Sequence, residues 1–126
     1  MNEYMLRVLN RGNHQRTWTS ERHTEFVKKC EVYINELLQE GKLHAAQPLA
    51  RQGVVVSGAK GAFAVEPLRI EDEIQTGYYL VRAESLDDAI AIAKGNPEFE
   101  YSTTARVEVR PLRAEEHSTG FKYPTR

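Results

Sequence analysis

Hydrophobic and polar positions along this chain switch between a period of two and a period of three to four, and the switches mark its elements. Tyr4 to Leu9 is a short apolar-rich run that predicts a first strand. Asn10 to Ser20 holds glycine, asparagine, arginine and threonine, and predicts a loop. From Ser20 onward Phe26, Val27, Cys30, Tyr33, Ile34, Leu37 and Leu38 fall at three- and four-residue steps, which is one stripe of a helix. Thr19 or Ser20 can cap its start, and Gly41 suits the left-handed position just past its end.

Lys42 to Leu49 predicts a short strand, stopped by Pro48, which cannot donate to a ladder. Val54–Val56 and Phe63–Val65 flank Ser57-Gly58-Ala59-Lys60-Gly61, a hairpin signature. Pro67 to Thr76 is polar and acidic and predicts a loop, and Gly77 to Ala83 a strong strand. Ser85, with Asp88 three residues on, caps a second helix whose stripe is Leu86, Ala89, Ile90 and Ala93. Gly95 and Pro97 end it. Ala105 to Leu112 is the last strand, and Arg113 to Arg126 reads as a polar tail beyond a single domain of residues 1–112.

Strand, helix, strand, hairpin, strand, helix, strand is an α+β order, the ferredoxin-like βαββαβ plan with an inserted β-hairpin. Both helices then cover one sheet face, and the first and last strands are neighbours. Alternation sets Arg7 on one side of the first strand and Arg106, Glu108 and Arg110 on one side of the last. If the apolar sets face the helices, these four charges share the helix-free face.

At 126 residues, with 40% hydrophobic and 28% charged positions, the chain suits one packed domain. A formal net charge of -1 gives no basic excess for a general grip on nucleic acid. The single cysteine, Cys30, forms no intramolecular disulfide and fits a reducing compartment. The N-terminal residues have neither the basic head nor the apolar run of a signal peptide, and no stretch reaches the ~18 apolar residues of a membrane-spanning helix. The expectation is a cytoplasmic protein without membrane or nucleic-acid partners, and no motif asks for a cofactor.

Gly77-Tyr78-Tyr79-Leu80-Val81, Ser85-Leu86-Asp87-Asp88-Ala89 and Val107-Glu108-Val109-Arg110-Pro111 together resemble the YCII-related family, in its DGPF branch, within the dimeric α/β-barrel superfamily. Gly41, Leu43 through Ala46 and Pro48-Leu49 resemble its first-helix exit and second strand. The likeness runs over roughly residues 4–112 and implies a homodimer with a pocket between the helix-free face and adjacent loops. Two departures bear on activity. The histidine many members carry on the first helix falls at Cys30, and the Asp-Gly-Pro-Phe signature falls at Val65-Glu66-Pro67-Leu68, where only the proline matches.

Each candidate has a plainer reading beside it. Cys30 is a candidate nucleophile, but it sits mid-helix on the apolar stripe, and His23 is about 10 Å away along the axis. A core thiol is the default. His14, His23, His44 and His117 show no metal-ligand spacing, so no metal is expected. His44, beside Pro48, is the candidate acid or base of the four, against an ordinary strand-edge placement. Glu73, in the run Glu71-Asp72-Glu73, matches a frequently acidic family position and is a candidate acid or base, against a solvated loop.

Trp18 suits a loop anchor or a pocket lid. Of Tyr78 and Tyr79, alternation turns one away from the helices, and Tyr79 joins Arg7, Glu108 and Arg110 as the ligand-binding set. The same charges also suit a dimer-interface salt network. The function classes left open are an enzyme acting on a small anionic or carbonyl-bearing metabolite, a non-catalytic binding module and a structural dimer.

Overall fold

In the computed structural model, which describes residues 1–124, β1 (Asn2–Arg11) leads into α1 (Ser20–Gln39). β2 (Leu43–Pro48), β3 (Val54–Ala59), β4 (Ala62–Pro67) and β5 (Glu73–Ala83) follow. The chain then forms α2 (Leu86–Lys94), α3 (Glu98–Tyr101) and β6 (Arg106–Pro111). The main sheet has the order β2-β5-β1-β6, antiparallel throughout, with β3 and β4 paired as a separate ribbon. First and last strands are neighbours, as the ferredoxin-like plan requires, and the fold is of that α+β type.

Alternation fixes the two faces. Tyr4, Leu6 and Val8 on β1 and Tyr79, Val81 and Ala83 on β5 are buried with Tyr33 and Leu37 of α1 and Ala89, Ile92 and Ala93 of α2. Tyr33 donates its hydroxyl to the Ile92 carbonyl at 2.6 Å, so the ring ties the two helices together. The helix stripes are narrower than their sequence pattern. Val27, Leu38 and Leu86 are exposed, because the sheet meets α1 chiefly through Phe26, Tyr33 and Leu37 and α2 through Ala89, Ile92 and Ala93.

The ends of the helices follow local chemistry. The Thr19 hydroxyl accepts from the Arg22 N–H at 3.1 Å, and the Ser85 hydroxyl from the Asp88 N–H at 3.2 Å. At the exit of α1, Gly41 has φ +70°, Gly41 N–H reaches the Leu38 carbonyl and Lys42 N–H the Leu37 carbonyl, which is a Schellman turn.

Two boundaries differ from the sequence pattern. β1 continues through Asn10 to Arg11, and β5 begins at Glu73 rather than Gly77, because these polar ends pair with each other. Their ladder carries a bulge, with Val8 opposite Gly77 and Leu9 opposite Gln75, leaving Thr76 as the extra residue. Gly77 is needed there. A Cβ on it would lie 3.0 Å from the Gln47 carbonyl oxygen of β2. α3, absent from the periodic pattern, is one short turn led by Asn96, whose side-chain oxygen accepts from the Glu98 N–H at 2.8 Å.

The hairpin of β3 and β4 is where the sequence placed it, but it adds nothing to the core: Val54, Val56, Phe63 and Val65 are 62–65% exposed. Beyond β6, residues 113–124 bend back through a Glu115–Lys122 bridge, with Phe121 packed edge-on against Tyr123. The tail predicted to Arg126 runs two residues past the described chain.

Candidate functional site

The bulge and the short turn of α3 bring polar side chains into what the β1 alternation marks as the helix side. Asn10 is fully buried there. Its amide donates to Glu98 Oε1 at 2.9 Å and to Thr76 Oγ1 at 3.0 Å, and its oxygen accepts from Ser102 Oγ at 2.7 Å. Glu98, held at its backbone by Asn96, is thereby fixed with its carboxylate turned inward.

That carboxylate meets His14. Nε2 of His14 lies 2.7 Å from Glu98 Oε1, with side chains only 6% and 10% exposed. The other ring nitrogen, Nδ1, lies 2.9 Å from an Nη of Arg51, whose second Nη donates to the Gly12 carbonyl at 3.1 Å. A guanidinium can only donate, so Nδ1 is the acceptor and the ring proton sits on Nε2, facing the carboxylate. Although close, the carboxylate lies off the N–H axis, and Nε2 has no well-directed hydrogen bond. Loose alignment of this kind is common in ligand-free acid–base pairs.

The loop carrying His14 is itself braced. Asn13 accepts from the N–H of Gln15 with its side chain and from that of Arg16 with its carbonyl. Trp18 packs against His14, Phe26 and Tyr101 at ring distances of 5.2–5.6 Å, with the Arg22 guanidinium over it. Trp18 is therefore a loop anchor.

These groups open onto a cleft of about 430 Å³ between α1 and the sheet. His14, His23, Cys30, Arg51, Tyr79 and Glu98 line it, and Phe26, Ile34 and Leu49 are among its apolar walls. Burial, with help from Glu98 and Glu31, pushes the Cys30 thiol up to about 11, so at neutral pH it is a thiol and not a thiolate. Tyr79 stacks edge-on against Tyr33 at 5.4 Å, and burial, then the neighbouring Cys30, raises its hydroxyl well above the ordinary phenol range. Both are neutral donors at the cleft wall. A more open hollow of about 480 Å³ near the other end of α1 is lined by Glu36, Glu40, Glu84 and Asp88, with no imidazole or thiol.

The sequence-predicted residues divide between the two faces. Arg7 and Glu108 stand directly opposite on β1 and β6, paired at 3.1 Å, and Arg7 also donates to Gln75 at 3.0 Å. Arg110 is 3.9 Å from the same carboxylate and mostly exposed. Glu73 holds Arg106 in a two-point contact at 2.7 and 2.8 Å.

Tyr79 does not share this face. It pairs with Leu6, whereas Tyr78 pairs with Arg7. His44 lies at a β2 irregularity, half-buried, with Nε2 3.4 Å from Glu3, and does not line the cleft. Glu3 precedes Arg7 by about 13 Å along β1. Sequence reading passed over Asn10, His14, Arg51 and Glu98. The one available signal was Asn10, a polar residue directly continuing an apolar strand. Among the described residues, no three His, Cys, Asp or Glu side chains gather to hold a metal.

A four-stranded antiparallel sheet with both long helices on one face, and a largely apolar cleft beneath the first with a few polar groups at its wall, defines a ferredoxin-like α+β domain with a helix-side cleft. The family model of the YCII-related domain matches residues 3–113, and the chain belongs to that family. Comparison with curated proteins finds no match. Among the described residues, no helix is long and apolar enough to cross a membrane.

Proposed function

We propose that this YCII-domain chain binds a small anionic metabolite in the cleft between α1 and the sheet, with His14 as the acid–base group of a proton-transfer enzyme. The observation that carries the reading is the buried His14, held between Glu98 and Arg51 at the cleft wall. A cleft-wall imidazole with one nitrogen toward a carboxylate and the other on the Arg51 guanidinium lies within reach of a bound molecule with which to exchange a proton. Arg51 supplies the positive charge an anion needs. Cys30 and Tyr79, both protonated at neutral pH, serve as hydrogen-bond donors to the ligand.

A second reading keeps the ligand on the helix-free face, on Arg7, Glu108 and Arg110. It is favoured by Arg110, whose guanidinium has only a distant hold on a carboxylate already engaged by Arg7. In that reading Glu73 and His44 are the acid–base groups and the domain of residues 1–112 works as a homodimer, or binds without catalysis. The exposed apolar hairpin supports a self-association surface. Membership of the DGPF branch and a cytoplasmic location complete the proposal, with neither nucleic acid nor membrane as partner.

Calorimetric titration with a set of small organic acids separates the two sites. Cys30→Phe fills the cleft, and Arg7→Met with Arg110→Met strips the other face. Loss of binding in the first variant alone supports the cleft. Loss in the second alone refutes it in favour of the sheet face, with light scattering reporting whether a dimer went too.

A further inference from the structure

We infer that Arg51 is the receptor for a carboxylate on the ligand, and that in taking it Arg51 lets go of His14 and so exposes the base. The inference rests on the cleft reading and names its ligand class: a small monocarboxylate with an apolar body.

Arg51 follows β2 on a segment rooted by the Leu49 N–H, which donates to the Thr76 carbonyl at 2.9 Å. From there its guanidinium reaches the loop that carries His14. Both of its Nη groups are in use, one on the Gly12 carbonyl at 3.1 Å and one on His14 Nδ1 at 2.9 Å. Both acceptors are neutral, and among the described residues Arg51 forms no ion pair. A carboxylate is the stronger partner, since it brings a full opposite charge to the guanidinium and accepts both of its bonds in one bidentate contact. Its two oxygens also match the planar fork, so one ligand group replaces both present contacts together.

The exchange has a consequence for the imidazole. While Arg51 donates to Nδ1, that lone pair is blocked and His14 cannot take a proton there. Once the guanidinium turns to the ligand, Nδ1 faces the cleft with its lone pair free, and Nε2–H still faces Glu98. A proton then leaves an acidic C–H or O–H of the ligand for Nδ1, and the electron pair stays on the ligand. The resulting imidazolium sits beside the Glu98 carboxylate.

The charges present select a monoanion. Among the described residues Arg51 is the one cationic side chain fixed in charge at the cleft, and Glu31 and Glu98 are two carboxylates already lining it. A dianion such as phosphate adds repulsion that a single guanidinium does not offset. The apolar walls around Phe26 and Ile34 suit a hydrocarbon body.

The test uses the full chain, phenylacetate as probe, and phenylacetamide and inorganic phosphate as controls. Binding is read by calorimetry and the His14 ring by ¹⁵N NMR at one fixed pH. Wild type is expected to bind phenylacetate at least tenfold better than either control. Arg51→Met is expected to weaken phenylacetate about tenfold or more, and Arg51→Lys, which keeps charge without the fork, to fall between. The Nδ1 resonance is expected to move when phenylacetate binds, and to move the same way in ligand-free Arg51→Met.

Phenylacetate binding that leaves Nδ1 unmoved, or that is unchanged in Arg51→Met, overturns the inference. If that binding is nevertheless lost in Cys30→Phe, the cleft stands and only the role of Arg51 falls. Binding indifferent to both Cys30→Phe and Arg51→Met removes the cleft as well. No phenylacetate binding by wild type overturns the monocarboxylate assignment, and the organic-acid titration then judges the cleft by itself.

Discussion

The two faces of the sheet hold charge in opposite ways. On the helix-free face Arg7 and Glu108 pair across adjacent strands with side chains 36% and 37% exposed, and an exposed Arg106 grips a half-buried Glu73. On the helix side Glu98 and His14 are almost wholly enclosed, and each is fixed by a further partner, Asn10 for one and Arg51 for the other. Water dissolves most of the value of the first kind of pair, whereas the second kind depends on the hydrogen bonds that Asn10 gives Glu98 and Arg51 gives His14. A set of charges on a sheet face is therefore weaker evidence for a site than one enclosed imidazole held between a carboxylate and a guanidinium.

The contrast is sharpest in stability. Glu98→Ala leaves one N–H of the Asn10 amide enclosed without its acceptor and removes the carboxylate beside the His14 ring, and is expected to cost about 3 kcal/mol in chemical denaturation. Asn10→Ala, which strands the Glu98 carboxylate and the Ser102 hydroxyl, is expected to cost about 1–3 kcal/mol by the same measurement. Arg7→Met and Arg106→Met should each cost no more than about 1 kcal/mol, a difference that fades in 1 M salt. If the Arg7 variant proves as damaging as the Glu98 variant, the ranking of the two faces is wrong.

A smaller effect follows from the thiol at the cleft wall. Cys30 is raised from 9.0 to about 11 on folding, so the unfolded chain loses this proton at lower pH than the folded one. The contribution is present in full below pH 9 and is lost as pH rises from about 9 toward 11. Wild type should therefore shed stability over that window relative to Cys30→Ser. Its thiol should also react with a disulfide reagent near neutral pH about a hundredfold more slowly than an unperturbed cysteine. Fast labelling at neutral pH would contradict a protonated thiol.

Much of the frame was legible because it depends on local rules. Thr19 and Gly41 bound the first helix, the Ser85 cap starts the second, and the glycines between Val56 and Phe63 close a hairpin. Arg7 and Glu108 were placed on one face by alternation together with strand order. The phase of β5 overturns the assignment of Tyr79 to the Arg7 face, and the signal for it stands in the sequence. Val81 and Ala83 are the apolar members of its odd-numbered set, which puts Tyr79 with the core and Tyr78 with Arg7. The cleft was not legible, since its members come from a loop, a strand bulge, a segment after β2 and one turn of helix after α2. No periodicity links His14 to Glu98 or Arg51 to Gly12. Only long-range pairing brings them together, and the polar character of Asn10, which marks the place, reads along the chain as the start of a loop.

The comparison of the two faces is tested most directly by mapping where an organic acid binds, through amide chemical-shift changes on the ¹⁵N-labelled chain. Binding in the cleft predicts that the largest changes fall on residues 12–18, 49–52 and the Phe26–Ile34 side of α1, with Arg106 to Arg110 unmoved. Changes centred on β6 and the Arg7 region of β1, with the His14 loop silent, would contradict it.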